Sequence, residues 1–362
     1  MDSPDLSYSV NSFLGDTEYQ CDRIMDGHIH EGWYIHSDHP QFPETILQKV
    51  NTHVFPDPAG LMENIVNILN FLHTQTPTQK QLRIIPTHSG QLFYQAPDGC
   101  VWRMYEKIGN SYTTQITNNL SQVYEAGRAT GLFLKHLKDY PVQSLNISIP
   151  DFHNTPKRYQ DFLAAVSNSD NTSIQEIQSE INFLSERAHQ FGVFWDALVE
   201  QRLPWRVTHN DTKIDNILFD LDTHQAICLI DLDTIMPGSA LFDFGDALRA
   251  MGNPAAEDEP DLSKVEFQMP VFEAYTEGYL SSAGDILTPL ELSWLALSPW
   301  MITMENGIRF LSDYLQGNQY FRTHYPKQNL QRCRTQLKLV ADMERQQSLM
   351  ESMVKNLQKK IV

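Results

Sequence analysis

Cysteine is scarce and scattered: Cys21, Cys100, Cys228 and Cys333 are all the chain has, and no two form a C-x-x-C pair. That spacing argues against a disulfide framework or a cysteine zinc site and fits a reducing cytoplasm. No apolar run approaches the roughly 20 residues needed to cross a bilayer, and the opening Met1-Asp2-Ser3-Pro4-Asp5 is acidic and polar, unlike a signal peptide. A cytoplasmic location is therefore the expectation. Basic residues are outnumbered, 27 Lys and Arg against 45 Asp and Glu, for a formal charge of −18. Nucleic acid and anionic membrane are polyanions, so neither is an expected partner. Internal repeats and low-complexity linkers are also missing. The remainder is ordinary: 362 residues, 41% hydrophobic, enough for a large core or two lobes.

The informative stretch is 204–246, P-W-R-V-T-H-N-D-T-K-I-D-N-I-L-F-D-L-D-T-H-Q-A-I-C-L-I-D-L-D-T-I-M-P-G-S-A-L-F-D-F-G-D. Ile217 to Asp220 is strand-like, Leu221 to Gln225 is polar and turn-like, and Ala226 to Ile230 is a second apolar run. Folding that hairpin is expected to bring Asp211, Lys213 and Asn216 beside Asp231. Phosphoryl transfer needs such a set. A carboxylate takes the hydroxyl proton, an amide and an acid hold magnesium on the phosphate oxygens, and a cation offsets charge on the moving group. His209 reads as a brace for the loop. Asp233 reads either as a second metal ligand or as the cap of the next turn. Asp243-Phe244-Gly245 spells a magnesium-binding triplet, but the strand that should deliver the ligand ends at Asp231, so Asp243 and Asp246 read as caps or braces of the loop leading into a helix that begins near Asp246.

H-N-D-T-K-I-D-N followed by I-D-L-D resembles the catalytic loop and metal-binding segment of the aminoglycoside phosphotransferase superfamily. Four further stretches are similar to the N-acetylhexosamine 1-kinases of that superfamily: I-L-Q-K-V-N-T-H-V-F (46–55), L-M-E-N-I (61–65), I-P-D-F-H-N-T (149–155) and G-I-R-F-L-S-D-Y-L-Q-G-N-Q-Y-F (307–321). The resemblance implies an α+β, protein-kinase-like two-lobe fold, with a small antiparallel sheet and one helix in the first lobe and a larger, mostly helical second lobe. It also implies ATP and Mg²⁺ as nucleotide and metal, and the anomeric hydroxyl of GlcNAc or GalNAc as acceptor. Choline, ethanolamine, homoserine and aminoglycoside kinases are the neighbouring readings, and a non-catalytic nucleotide-binding regulator is the reading from another class. The chain departs from the superfamily at Asn210, where Gly is usual.

The lobes are expected at 1–106, binding nucleotide, and 107–362, with a hinge at about 106–110 in which Glu106 faces adenine. Residues 1 to about 24 read as a lead-in with a helix. Ile29–Ser37 and Glu44–Phe55 read as strands, and Leu82–Pro86, Leu92–Gln95 and Cys100–Tyr105 complete the sheet. Gly27 and His28, in Met25-Asp26-Gly27-His28-Ile29-His30-Glu31-Gly32, are candidates to fold over phosphates. Asp57-Pro58 opens a helix whose Leu61, Ile65, Ile68, Leu69 and Leu72 form a stripe. Kinases of this fold pair a helix Glu with a strand Lys that holds phosphates. Glu63 and Lys49 are the candidates, although alternation leaves open whether Gln48 or Lys49 turns to the nucleotide. Gln115–Leu137, Ser173–Glu200 and about Gln328–Ile361 read as helices, the last with a Leu and Met stripe for packing.

For the acceptor, Arg309 and Tyr320 resemble positions that hold the hexosamine, with Asp151 and His153 closing the pocket. A polyol wants directional donors and acceptors, which this mixture supplies. Arg309 also reads as a surface residue paired with Asp313 at i, i+4.

Overall fold

The computed structural model describes residues 4–24, 29–38, 42–115, 117 and 119–361. The chain divides into two compact units, of which the first comprises Met1–Ser111 with Ser144–Pro150 and Ile230–Ile235, and the second holds the rest.

In the first unit, helix α1 (Pro4–Leu14) precedes strands β1 (Gln20–Ile24), β2 (Glu31–His36) and β3 (Thr45–Val50). Helix α2 (Pro58–Gln75) follows, and then β4 (Ile84–Ile85), β5 (Tyr94–Gln95) and β6 (Val101–Glu106). The strands form one antiparallel sheet in the order β1-β2-β3-β6-β4, with β5 also on β6. Register decides which side chains share a face, because successive residues of a strand point to opposite sides. Gln48 stands opposite Arg103, and Lys49 opposite Trp102. The Trp102 face is apolar: Leu47, Trp102 and Met104 pack with Ile35 and with Leu6, Val10 and Phe13 of α1. Each such side chain, fully buried, contributes about 1.5–3 kcal/mol. Asp57 caps α2 by accepting from the Gly60 N–H at 3.0 Å, and Pro58 occupies the first turn. Leu61, Met62, Ile65, Ile68 and Leu72 are its buried stripe. The strand Gln20–Ile24 was not expected, because its mostly exposed pattern gives no alternation to read.

The second unit is mostly helical. Strand β7 (Ser111–Tyr112) and helix α3 (Leu120–His136) lead to α4 (Thr155–Ser167). The single helix expected over Ser173–Glu200 is instead three, α5 (Asn171–Glu176), α6 (Gln178–Arg187) and α7 (Val193–Val199), with a 3₁₀ turn at Ala188–Gln190. Asp170 accepts from the N–H groups of Thr172 and Ser173, starting the first piece, and Gly192 precedes the third. Four short strands follow: β8 (Arg206–Thr208), β9 (Ile217–Asp220), β10 (Ala226–Leu229) and β11 (Met236–Gly238). The pairs β9–β10 and β8–β11 are both antiparallel. The expected hairpin is there, its turn held by Asp220 Oδ1 on the N–H groups of Asp222 and Thr223.

The remaining helices are α8 (Ala240–Met251), α9 (Met269–Ala283), α10 (Pro289–Trp294), α11 (Ser298–Leu315) and α12 (Gln328–Ile361). Helices α3 and α9 cross at glycines, since a Cβ on Gly127 would overlap the Tyr275 carbonyl and one on Gly278 the Tyr124 carbonyl. Helix α12 buries Leu330, Leu337, Val340, Met343, Met350 and Val354, the expected packing stripe. Among the described residues no helix is long and apolar enough to cross a membrane.

Candidate active site

The loop between β8 and β9 carries the first cluster. Thr208 ends β8 with its hydroxyl 3.0 Å from the Met236 carbonyl, and the chain then turns at Asn210, whose φ is 66°. Glycine takes that left-handed conformation without penalty, and asparagine tolerates it better than most residues. The departure from the superfamily's usual Gly thus keeps the backbone shape. Past the turn, the Asn216 amide donates to the Asp211 carbonyl at 2.8 Å and to its carboxylate at 2.9 Å. Its Nδ2 is thus spent on Asp211. Lys213 Nζ lies 3.4 Å from Asp211 and 3.7 Å from Asp215. Burial works to raise the Asp211 pKa, but the charges of Lys213, His209 and Arg249 outweigh it and hold the carboxyl below its ordinary range. Asp211 is therefore a carboxylate at neutral pH, with 26% of its side chain exposed.

Buried groups fix this loop from behind. His209 Nδ1 accepts from the Asp211 N–H at 3.3 Å, and its ring meets Phe133 edge-on. Asp243, near the start of α8, accepts from the His209 and Asn210 N–H groups at 2.9 and 2.7 Å. Burial pushes the Asp243 carboxyl up to about 6, against those two donors. Asp243 thus braces the loop between β8 and β9. His153 Nε2 is 3.3 Å from the Asn210 carbonyl, and its Nδ1 is 2.8 Å from Glu305, a fully buried acid of α11 that also accepts from Thr155. His153 therefore touches the loop, and Asp151 does not share its burial. Asp151 is exposed at φ 55° and accepts from Asn154, the cap of α4.

The second cluster lies in the first unit. Asp231 has φ 58° and ψ 59°, a left-handed conformation. Both oxygens of Asp233 are engaged: Arg103 Nη1 donates to Oδ1, Arg103 Nη2 to Oδ2 at 2.7 Å, and His30 Nε2 also meets Oδ2. Arg103 Nε donates to Gln48 at 2.9 Å. Burial would raise the Asp233 pKa, yet the Arg103 charge and the His30 bond hold it far below the carboxylate range. Neither Arg103 nor His30 was singled out from sequence. The available signal was an arginine in the middle of the buried run Val101-Trp102-Arg103-Met104-Tyr105, a costly placement without an acid to meet it.

The remaining candidates are dispersed. Gly27 and His28 lie outside the described residues. On β3, Gln48 shares the face of Arg103, while Lys49 lies 5.7 Å from the Trp102 ring on the opposite face. Glu63 accepts from Asn146 at 3.0 Å and lies in α2 next to the buried Asn64. Glu106 is exposed at the end of β6, its N–H donated to the Arg83 carbonyl at 2.9 Å. Arg309 and Tyr320 line one cavity of about 730 Å³ together with Arg158, Asp161 and Phe321. The Arg309 guanidinium sits 5.0 Å from the Phe152 ring and 5.6 Å from that of Tyr320. Asp313 does not pair with Arg309. It accepts from the N–H groups of Gln319, Tyr320 and Phe321, pinning the turn that presents both aromatics.

Known structures share this architecture. A microcompartment-associated aminopropanol kinase superposes with a TM-score of 0.63 at 16% identity, over 96% of this chain and 98% of that one. Spectinomycin phosphotransferase bound to ADP and spectinomycin gives 0.56 at 15%, over 91% and 93%. Amicoumacin kinase with AMP-PNP and Ca²⁺ gives 0.55 at 13%, over 99% and 94%. At such identities the likeness shows the fold, which is the kinase-like one. The model of the phosphotransferase enzyme family (APH) matches residues 21–284, most of the chain, and the protein belongs to that family.

Proposed function

We propose that this protein is an ATP- and magnesium-dependent small-molecule kinase that phosphorylates the anomeric hydroxyl of an N-acetylhexosamine. The observation that carries the reaction type is the ionised Asp211, held by the Asn216 amide at 2.9 Å with Lys213 at 3.4 Å. The acceptor oxygen attacks the γ-phosphorus, the bond from that phosphorus to the β,γ-bridging oxygen breaks, and ADP leaves with the electron pair. The acceptor's proton passes to Asp211. Because the Asp211 carboxyl lies below the ordinary range, it is a weak base for a ground-state hydroxyl. Its work is to orient that hydroxyl and to take the proton late, as the oxygen acidifies in a loose transition state. Lys213 offsets charge on the moving phosphoryl group. Asn216 Oδ1 and the Asp231 carboxylate are oxygen donors that suit magnesium, a hard cation. When bound, the ion supplies positive charge to the phosphate oxygens of ATP.

The substrate reading rests on the resemblance and on the cavity of Arg309. Arg158 lines it too, and burial first, then the Arg309 charge, holds the Arg158 guanidinium below its usual pKa. Two guanidiniums favour a ligand with oxygen acceptors, such as hydroxyl and acetamido groups, over one with several ammonium groups. Aminopropanol and spectinomycin, named for two structural relatives, serve as the contrasting acceptors. The test is ADP release with ATP and each of GlcNAc, GalNAc, choline, aminopropanol and an aminoglycoside, with ³¹P NMR to place the phosphate. Arg309→Ala should raise the KM for the sugar about ten- to a hundredfold, the effect of losing one buried donor, and leave the KM for ATP nearly unchanged. Phosphorylation of an amine-bearing acceptor in place of either sugar would leave only the family assignment.

A further inference from the structure

His30, Asp231 and Asp233 offer ligand atoms that all lie within 4.8 Å of one another, a grouping that could hold a metal ion. The hydrogen bonds assign these three residues unequal roles. His30 Nδ1 accepts from the Asn51 backbone N–H at 3.0 Å, which places the ring proton on Nε2, facing Asp233. A nitrogen that carries a proton has no lone pair for a metal. Asp233 accepts the two forks of Arg103 and the His30 bond, so both its oxygens serve cationic or N–H donors. Arg103 is 1% exposed and brings a fixed positive charge next to any ion placed there.

Asp231 stands two residues earlier in a left-handed conformation. A non-glycine residue persists there only when its surroundings over-determine it. The segment after it is tied down three ways. Asp233 is clamped through its side chain, its carbonyl accepts from the Ser148 hydroxyl at 3.0 Å, and the Ile235 carbonyl accepts from Asn64 at 3.2 Å.

We propose that Arg103 and His30 are positioning residues that lock Asp233 as an anchor, so that Asp233 is withheld from the metal and Asp231 is presented to it. This rests on the reading of the protein as a magnesium-dependent kinase. On the same face of the sheet, Gln48 of β3 accepts from Arg103 Nε and completes the fixing of the guanidinium.

The two roles for Asp233 differ in the sign of one effect. If Asp233 were a ligand, removing the Arg103 charge would free its oxygens, lower repulsion and tighten Mg²⁺. If Asp233 is an anchor, the same change loosens Asp231 and weakens Mg²⁺. The experiment titrates Mg²⁺ into the intact protein with ADP by calorimetry and also measures ADP binding without metal. Arg103→Met and Asp233→Asn should each weaken apparent Mg²⁺ affinity about tenfold, with metal-free ADP binding changed less than twofold. The double variant should be no worse than either single one. Arg103→Lys, which keeps charge but not the fork, and His30→Ala should show smaller losses in the same direction, and His30→Gln, whose Nε2 can donate to Asp233, should recover most of the latter. These two arms decide if Arg103→Met does not fold. Tighter or unchanged Mg²⁺ binding in the Arg103 variants, or losses that multiply in the double variant, overturns the proposal. Wild-type protein that binds ADP with no response to Mg²⁺ overturns the kinase reading itself, a failure visible before any variant is made.

Discussion

Two loops of this protein carry the acids proposed to act, Asp211 and Asp231, and each is held by a second acid that is buried, but the holding differs. Asp243 secures the Asp211 loop through two backbone N–H groups, those of His209 and Asn210. Asp233 secures the Asp231 segment through the side chains of Arg103 and His30. Both loops contain a non-glycine residue at positive φ, Asn210 in one and Asp231 in the other. The consequence shows in the acids. Burial outweighs the nearby His209 and His153 and the two N–H donors, and the Asp243 carboxyl rises to about 6. The Arg103 guanidinium and His30 together outweigh burial, and Asp233 falls far below the usual range. One brace titrates in the physiological neighbourhood, and the other is permanently ionised.

The largest expected effect breaks the charged brace. Arg103→Met leaves Asp233 buried beside a lone imidazole, and losing one partner of a buried ion pair costs about 3–5 kcal/mol. Urea unfolding of wild type and variant measures it, and a loss under 1 kcal/mol would mean that water reaches Asp233. The second test takes the functional acid away and spares its brace. Asp211→Ala should lower kcat roughly a hundredfold or more, the range for a general base, while ADP affinity changes little. Near wild-type turnover would remove Asp211 from the reaction. Next comes the neutral brace: Asp243→Ala orphans two N–H groups at about 1–3 kcal/mol each, so the protein should lose stability on the scale of Arg103→Met, with kcat reduced and the magnesium requirement retained. A magnesium requirement that follows Asp243 would reverse the choice between the acids.

The smallest effect is one of pH. Asp243 has a folded-state pKa raised to about 6 from its ordinary 3.8, so its favourable contribution is complete below about 3.8 and is lost as pH rises through 6. By linkage, its share of stability should fall by about 1 kcal/mol between pH 5 and 7. Asp233 has its pKa depressed, so its contribution is lost only on acidification and is flat over that window. Unfolding free energies at pH 5, 6 and 7 should therefore differ in slope between wild type and Asp243→Asn. Equal slopes would show that the two N–H donors cancel the burial.

Much of this comparison was legible in the sequence, and the illegible parts share a cause. The hairpin, the hydrogen bonds of Asp243 to the loop before it, and the stripe of α12 accord with readings of local pattern, because turn chemistry and periodicity act over a few residues. The fork of Arg103 on Asp233 joins positions 130 apart in sequence, and no local pattern announces such a pair. Alternation alone left Gln48 and Lys49 both open, and it is strand register, set by pairing with β6, that turns Lys49 toward Trp102. The helix expected over Ser173–Glu200 breaks at Ile177, between α5 and α6, and again over the 3₁₀ turn Ala188–Gln190 and Gly192 before α7.

The glycine crossing of α3 and α9 bears on how the chain is made. Gly127 and Gly278 let the two helices meet backbone to backbone, and they are contributed by distant parts of the sequence. A nascent chain that has not yet reached Met269 has nothing to lay against Gly127, so that face of α3 waits through the synthesis of the loop between β8 and β9. The second unit therefore closes late, after α9 leaves the ribosome, and a chain stalled before that point exposes an apolar helix face of the kind that chaperones bind.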